Sequence, residues 1–164
     1  MTPILTSNLM LDALNLKDAS FIMELVNTQG WKQFIGDRNV HDLPAAVAYV
    51  QKIMDNPAVT YYVVKLQQDH TPLGIVTLIK RDYLPQHDIG FAFLPVYTGK
   101  GYAYEAVCAL LNDPEIRKAH PRLLASSLKD NVRSIRLLEK LGMVFEKEYV
   151  HDHENLLLFG MTLQ

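Results

Sequence analysis

The most informative segment of the chain reads Asp88-Ile-Gly-Phe-Ala-Phe-Leu-Pro-Val-Tyr-Thr-Gly-Lys-Gly-Tyr-Ala-Tyr-Glu-Ala106. Its apolar run from Ile89 to Leu94 stops at Pro95, which predicts a strand. The glycine-containing turn 99–101 follows. Apolar residues then recur with helical spacing, at Ala103, Ala106, Val107 and Leu110. The segment therefore predicts a strand, a glycine loop and a helix.

The glycine loop suits a phosphate group. The first turn of a helix carries unpaired backbone N–H groups and the positive end of the helix dipole. Gly99 and Gly101 have no Cβ, so the main chain can approach a pyrophosphate, and Lys100 adds a cation. The nucleotide-binding pattern G-x-x-x-x-G-K-[ST] is absent, and Tyr104 stands where G-x-G-x-x-G requires its third glycine. The residues alone leave an ordinary strand-to-helix turn as the alternative.

The segment resembles the pyrophosphate loop of the GNAT superfamily of N-acetyltransferases, whose pattern is [QR]-x-x-G-x-G/A after a strand. Within that superfamily it is similar to the RimJ/RimL-type, ribosomal-protein alanine acetyltransferase branch. The resemblance covers nearly the whole chain, and the other matching segments are Ile35–Arg38, Lys80–Asp82, Gly101–Ala106 and Asp130–Met143. One departure is Val96, which occupies the Gln/Arg position. The resemblance implies a single GNAT domain over residues 1–164, an α/β fold whose central, mostly antiparallel sheet is flanked by helices.

Composition and charge agree with one globular domain. The chain has 164 residues, 49% of them hydrophobic, and a net charge of -2. Adjacent basic residues occur only at Lys80-Arg81 and Arg117-Lys118, so neither nucleic acid nor an anionic membrane is an expected partner. A single cysteine, no apolar run of about 18 residues and no signal-peptide pattern lead us to expect a cytoplasmic protein. The sequence leaves the oligomeric state open between a monomer and a homodimer.

The remaining pattern is mixed α/β. Strands are predicted at Leu9–Leu14, Thr60–Leu66, Leu73–Ile79, Ile89–Leu94, Leu123–Leu128, Val144–Val150 and Leu156–Leu163. Helices are predicted after Asp18 as far as Gln29-Gly30, after Asp42 as far as Asn56-Pro57, from near Tyr102 to Asp113-Pro114, and from Asp130-Asn131 to Gly142. Residues 31–41 are predicted to be a long loop.

The resemblance also implies how acetyl-CoA binds. Pantetheine would lie along the strand at Phe91, Ala92 and Phe93 and pair with its backbone as an added strand would. The pyrophosphate would be held by the amides of Thr98, Gly99, Lys100, Gly101, Tyr102 and Ala103, and Asn131 also belongs to the implied cofactor site. We expect the side chains of Phe91 and Phe93 to lie in the core. No metal site is expected.

The implied reaction is direct transfer of an acetyl group from acetyl-CoA to a primary amine in a ternary complex. The amine attacks only when neutral, and an α-amino group, with a pKa of about 8, loses its proton more easily than lysine at about 10.4. An N-terminal amine is therefore chemically convenient. A protein N-terminus, a lysine and a small amine all stay open as acceptors.

The departing thiolate needs a proton, and the family's usual donor is missing. Many members have a tyrosine seven positions after the asparagine that matches Asn131, where this chain has Leu138. Ser134, three residues after Asn131, shares its helix face and is the matching candidate. Asn131 and Ser134 are thus the catalytic candidates, with a helix cap and a first-turn polar residue as their structural alternatives.

The general base is not fixed by the sequence. Glu105, in the first turns of the predicted helix, is a candidate, although a carboxylate there also complements the helix dipole. His87 and Asp88 precede the central strand and are candidates too, but residues entering a strand are usually solvated turn groups. Arg38, Trp31, Arg81 and Tyr83 are candidates for contact with the acceptor.

Two other features favour structural roles. His151 and His153 could be imagined as metal ligands, but a hairpin turn explains them better because no third ligand is evident. Cys108 has no partnering histidine pattern and is interpreted as a small structural residue. Val96 and Leu138 motivate an alternative function, that of a CoA-binding sensing or interaction module without turnover.

Overall fold

A computed structural model describes residues 2–163, and its centre is a mixed sheet of eight strands. Their order across the sheet is β1-β2-β3-β4-β5-β6-β8-β7. The strands are β1 (Ile4–Leu5), β2 (Leu9–Ala13), β3 (Val59–Leu66), β4 (Pro72–Ile79), β5 (Asp88–Phe93), β6 (Arg122–Leu128), β7 (Val144–His151) and β8 (Glu154–Thr162). Every neighbouring pair is antiparallel except β5 and β6, which are parallel. The predicted mixed, mostly antiparallel sheet flanked by helices is confirmed.

Six helices cover the two faces of this sheet in residues 2–163. They are α1 (Ala19–Val26), α2 (Gln29–Phe34), α3 (Leu43–Asp55), α4 (Tyr102–Asn112), α5 (Pro114–Ala119) and α6 (Val132–Lys140). Buried side chains of α1, α2 and α3 pack with one side of the central strands, and those of α4, α5 and α6 pack with the other. None of these helices is long and apolar enough to cross a membrane.

Strand β5 contributes to both faces because successive side chains of a strand point to opposite sides. Ile89 is fully buried in the core beneath α4–α6, and Phe91 and Phe93 pack against that core while half-buried. The two phenylalanine side chains were expected in the core, and they lie at its edge instead, partly buried against it. Asp88 and Ala92 alternate with them and therefore face the α1–α3 side.

The sheet opens between β5 and β6. These strands pair at one position only, Asp88 opposite Leu124, where the Leu124 N–H donates to the His87 carbonyl at 3.0 Å. Beyond this point β5 keeps its antiparallel partner β4, with pairs from Ile89 to Phe93, but makes no further pair with β6. Among residues 2–163, the backbone groups of β5 that face β6 therefore have no strand partner beyond Asp88, and a gap separates the carboxyl ends of the two strands.

Residues 31–41 do not form the predicted loop throughout, because α2 occupies their first part and α1 ends at Val26, before Gln29-Gly30. The Thr28 hydroxyl caps α2 by accepting from the Trp31 N–H, and Trp31 is only 4% exposed. One cap and one buried aromatic residue stabilise this short helix, whereas periodicity is uninformative over six residues.

Two other short elements were not predicted. Helix α5 follows the predicted break at Asp113-Pro114, where the Asp113 carboxylate accepts from the Ile116 N–H and caps it. Strand β1 has only two residues and is held by pairing with β2. Each depends on a cap or a partner strand rather than on a hydrophobic period of its own.

Candidate functional site

The loop between β5 and α4 has the backbone conformation that a glycine permits. Gly99 and Gly101 have φ angles of 76° and 84°, in the left-handed region. A β-carbon built on either residue would meet no atom within 4 Å. The turn is therefore open rather than filled by side chains, and Gly101 is the N-cap residue of α4, which has no side-chain cap.

The amides of this loop are free to bind an anion. The first hydrogen bond of α4 runs from the Glu105 N–H to the Gly101 carbonyl at 3.0 Å. Within residues 2–163, the N–H groups from Gly99 to Tyr104 donate to no backbone carbonyl. Thr98 differs, because its N–H and hydroxyl both donate to Pro95, at 3.2 and 2.8 Å. A diphosphate fits this run of free donors, and it would have to compete with Pro95 for Thr98.

The free amides lie at the mouth of the gap between β5 and β6. The loop leaves the carboxyl end of β5, and Asn131 follows the carboxyl end of β6. A long ligand anchored by its phosphates at the loop can therefore run between the diverging strands. Phe91, Ala92 and Phe93 form one edge of that path, where their backbone has no β6 partner.

Asp88 lies at the closed end of the gap, and its carboxyl group is buried. The expectation of a solvated turn residue is wrong, because Asp88 is 4% exposed and belongs to β5 itself. Arg81 Nε donates to Asp88 Oδ2 at 2.7 Å, and within residues 2–163 the other oxygen, Oδ1, accepts no hydrogen bond. Burial raises the pKa of Asp88, and Arg81 opposes that rise. The result is a buried carboxylate with one oxygen available.

Aromatic and hydroxyl groups surround Asp88 and Arg81. The Ser126 and Tyr149 hydroxyls lie 2.7 Å apart and share a hydrogen bond between β6 and β7. Tyr83 stacks on His151 with ring centroids 3.7 Å apart and lies 6.4 Å from Tyr149. Burial raises the pKa of Tyr149, so this phenol stays protonated at neutral pH.

Helix α6 follows β6 and carries the two polar residues predicted to be catalytic. Asn131 caps this helix, with its Oδ1 accepting from the Ser134 N–H at 3.3 Å. Ser134 is half-buried one turn into the helix, and Leu138, on the same face one further turn along, is 1% exposed in the core. Asn131 is thus a helix cap, as its structural alternative required, and it uses the backbone N–H of Ser134. The Ser134 hydroxyl takes no part in this hydrogen bond.

The family model of the acetyltransferase (GNAT) domain matches residues 8–144. The chain belongs to the GNAT family of acetyl-CoA-dependent N-acetyltransferases. This GNAT protein is 28% identical over 142 residues to the uncharacterized N-acetyltransferase YnaD of Bacillus subtilis, a match that spans 85% of this chain and 81% of YnaD.

Solved structures share the fold of this GNAT protein. A GNAT-family acetyltransferase from Bacillus anthracis superposes with a TM-score of 0.83 at 23% identity, over 99% of both chains. RimL, a ribosomal L7/L12 α-N-protein acetyltransferase in complex with coenzyme A, also gives a TM-score of 0.83, at 15% identity and over 98% of both chains. At these identities the likeness concerns the fold.

Two residues that the sequence offered as a general base and as a metal ligand, Glu105 and His153, lie away from the gap of this GNAT protein. Glu105 joins α4 to the β1–β2 turn, where it accepts from the Thr6 hydroxyl at 2.5 Å and from Asn8 Nδ2 at 3.1 Å. His153 lies in the β7–β8 turn with a φ of 64°, as the predicted hairpin requires. No group of three or more potential ligand side chains in residues 2–163 could hold a metal ion.

Sequence reasoning missed part of the Asp88 surroundings. Ser126 and Tyr149 were not singled out, because they lie on strands that only the tertiary fold brings beside β5. The alternation of β6 carries one usable signal, since Ser126 is a polar residue between Leu123 and Leu128 on a predicted strand. The link between Arg81 and Asp88 carries none, because six residues of irregular chain, 82–87, separate them.

Proposed function

We propose that this chain transfers the acetyl group of acetyl-CoA to a primary amine that enters from the α1–α3 side of the sheet, in the manner of RimJ/RimL-like enzymes. When bound, acetyl-CoA supplies an activated acetyl thioester. The observation that carries the proposal is the run of free amides from Gly99 to Tyr104, placed at the mouth of a gap in the sheet.

The binding residues follow from that placement. The amides of Gly99, Lys100, Gly101, Tyr102 and Ala103 hold the diphosphate, together with that of Thr98 once it leaves Pro95. The Lys100 ammonium adds positive charge beside the helix dipole. The unpaired edge of β5 at Phe91, Ala92 and Phe93 hydrogen-bonds the pantetheine amides and directs the thioester towards Asp88. A β5 N–H donates to the thioester carbonyl oxygen and stabilises the charge that develops there.

Asp88 is the general base of the proposed reaction. Burial raises the pKa of Asp88 and Arg81 opposes that rise. In its ionised form the carboxylate accepts a proton from the amine through Oδ1, which accepts no hydrogen bond in the part of the chain that the structure describes. Arg81 holds the carboxylate in place through Oδ2. Ser126 and Tyr149 fix the neighbouring wall of the site by their shared hydrogen bond.

Ser134 donates a proton to the departing thiolate, which leaves as the CoA thiol, and the serine hydroxyl regains its proton from water. The Ser134 hydroxyl makes no hydrogen bond within residues 2–163, and it lies one turn before the position at which this chain has Leu138. Asn131 orients this first turn by its cap. The proposed base and acid thus come from opposite sides of the gap. Asp88 belongs to β5, and Ser134 belongs to α6, which follows β6.

The test measures thiol release from acetyl-CoA with a panel of N-terminal peptides, lysine peptides, polyamines and amino sugars. We expect thiol release that depends on the acceptor, with an N-terminal amine among the active acceptors. Tight binding of CoA by calorimetry without acceptor-dependent thiol would contradict the proposal and favour a module without turnover.

A further inference from the structure

Trp31 has a buried donor without a protein partner. The residue is 4% exposed, and its indole Nε1–H is a buried side-chain donor that finds no hydrogen-bond acceptor within residues 2–163. Buried polar groups of folded proteins are nearly always hydrogen-bonded, because an unpaired one loses its hydration without compensation. An acceptor group brought by a ligand would satisfy it.

The Arg38 guanidinium lies over the same indole ring. Its central carbon is 5.9 Å from the ring centroid. The chain returns towards the ring through Gly36, which has a φ of 126°, and Arg38 Nη1 lies 3.5 Å from the Gly36 carbonyl oxygen. Within residues 2–163 Arg38 forms no ion pair with a carboxylate. An exposed cation that pairs with no carboxylate of the described residues and an unpaired N–H therefore share one small region.

A row of paired strand residues leads from this region towards Asp88. Tyr61 on β3 lies opposite Thr77 on β4, and Thr77 lies opposite Gly90 on β5. Tyr61 packs against the same apolar cluster as Trp31, on the α1–α3 side of the sheet. Gly90 is two residues from Asp88 and on its face. The row crosses two strand spacings, about 10 Å.

The electrostatics of Tyr61 agree with this geometry. Burial and the neighbouring Tyr49 hydroxyl raise the pKa of Tyr61, whereas the positive charges of Arg38 and Arg81 act in the opposite direction. Both guanidinium groups therefore act on the same phenol. Arg81 is already compensated by Asp88 at 2.7 Å, which leaves Arg38 as the uncompensated charge of the two.

We propose that the acceptor carries an anionic group, a carboxylate or a phosphate monoester, which Arg38 and the Trp31 Nε1–H bind while its amine lies at Asp88. This inference rests on the proposed function and names the substrate class of the same site. A carboxylate or phosphate offers two oxygens to two donors, and its charge pairs with Arg38. The acceptor molecule therefore spans the Tyr61–Thr77–Gly90 row, with its anionic group at one end and its amine at the other.

The test uses three probes with six bonds between the amine nitrogen and the carbon or phosphorus atom of the other end: 6-aminohexanoate, 4-aminobutyl phosphate and 6-aminohexanamide, whose amide end is uncharged. Trp31 is the only tryptophan of the chain, so intrinsic fluorescence reports on this site alone. In CoA-saturated protein we expect a saturable fluorescence change with at least one of the anionic probes, and binding of the amide at least tenfold weaker. The tighter of the two anionic probes identifies the anion. Equal binding of the amide, or no change with either anionic probe, would overturn the inference.

Two variants sharpen this test. Arg38→Gln is expected to weaken binding of the anionic probe at least tenfold and to leave binding of the amide unchanged. Lys32→Gln, which removes an exposed cation next to Trp31 on α2, is the matched control and is expected to retain the preference for the anion. A preference that survives Arg38→Gln would refute the role of Arg38. CoA affinity measured by calorimetry separates the two proposals: its absence in the unmodified protein defeats the proposed function, whereas intact CoA binding without anion preference defeats only the anionic acceptor.

Discussion

Gly101 combines a left-handed backbone with open space around it, and these two properties can be separated by substitution. We expect Gly101→Ala to lower the free energy of unfolding by about 1–2 kcal/mol, since its φ of 84° is strained for a residue with a Cβ. Gly101→Asn tolerates this conformation better and is expected to lose less stability. Both variants place a side chain where the diphosphate is proposed to lie, so both should weaken CoA binding at least about tenfold, a loss of roughly 1.4 kcal/mol.

Chemical denaturation and calorimetry measure the two quantities. Gly30→Ala is the control, because Gly30 lies in α2 with no atom within 4 Å of an added β-carbon and should change neither CoA binding nor the loop. CoA binding by Gly101→Asn at the strength of the unmodified protein would show that this turn does not hold the diphosphate.

Asp88 is expected to set the acid limb of the pH–rate profile. Asp88→Asn should lower kcat/KM by about 10²–10⁴-fold with CoA affinity unchanged. Burial raises the pKa of Asp88 and Arg81 lowers it, so removal of the cation in Arg81→Gln must raise that pKa further. Because only the ionised carboxylate accepts a proton, the acid limb should move to higher pH by about one unit or more.

Arg81→Lys provides the charge-retaining comparison. Its acid limb should lie near that of the unmodified enzyme, although lysine lacks the Nε–H that donates to Oδ2. An acid limb at the same pH in Arg81→Gln and the unmodified enzyme, with both proteins folded by circular dichroism, would exclude Asp88 as the titrating base.

Among the elements, β5, the glycine loop and α4 could be predicted because their signals are local: an apolar run, two glycines and a helical period lie within 19 consecutive residues, 88–106. Helices α2 and α5 could not, since six residues are too few for a period and each depends on a cap. The gap between β5 and β6 depends on a pairing of Asp88 with Leu124, which a single sequence does not specify. The burial of Asp88 follows from that same pairing and was missed with it.

In helix α6, the contribution of the Ser134 hydroxyl can be measured separately from that of the helix cap. The Asn131 cap uses the backbone N–H of Ser134, so Ser134→Ala keeps the cap and removes only Oγ. We expect turnover to fall by about 10²-fold, the lower end of the range for general acid–base groups, with CoA affinity unchanged. Single-turnover thiol release and calorimetry measure the two.

Ser7→Ala, in the exposed turn before β2, is the control for loss of a hydroxyl elsewhere. Equal turnover of Ser134→Ala and the unmodified enzyme would remove Ser134 from the mechanism and leave water as the proton donor.

At the scale of the molecule, the sheet consists of two parts, β1–β5 and β6, β8, β7. Their backbones meet in one pair, Asp88 with Leu124, although each part is extensively paired within itself. Side chains beneath α4–α6 join the two parts, as Ile89 and Leu123 belong to one core cluster. A ligand that pairs with β5 inside the gap therefore adds contacts at the place where the sheet has fewest backbone hydrogen bonds.

This arrangement predicts a localised response to CoA in hydrogen exchange. Amides that gain a ligand partner exchange more slowly, whereas those already paired in strands change little. We expect added protection in segments 89–104 and 126–131, on both sides of the gap, and none in the hairpin of β3 and β4. The Gly101→Asn variant should show no such change at the same CoA concentration, because its proposed diphosphate site is blocked. Protection spread evenly over the whole chain would instead indicate global stabilisation by mass action, and would contradict binding between the diverging strands.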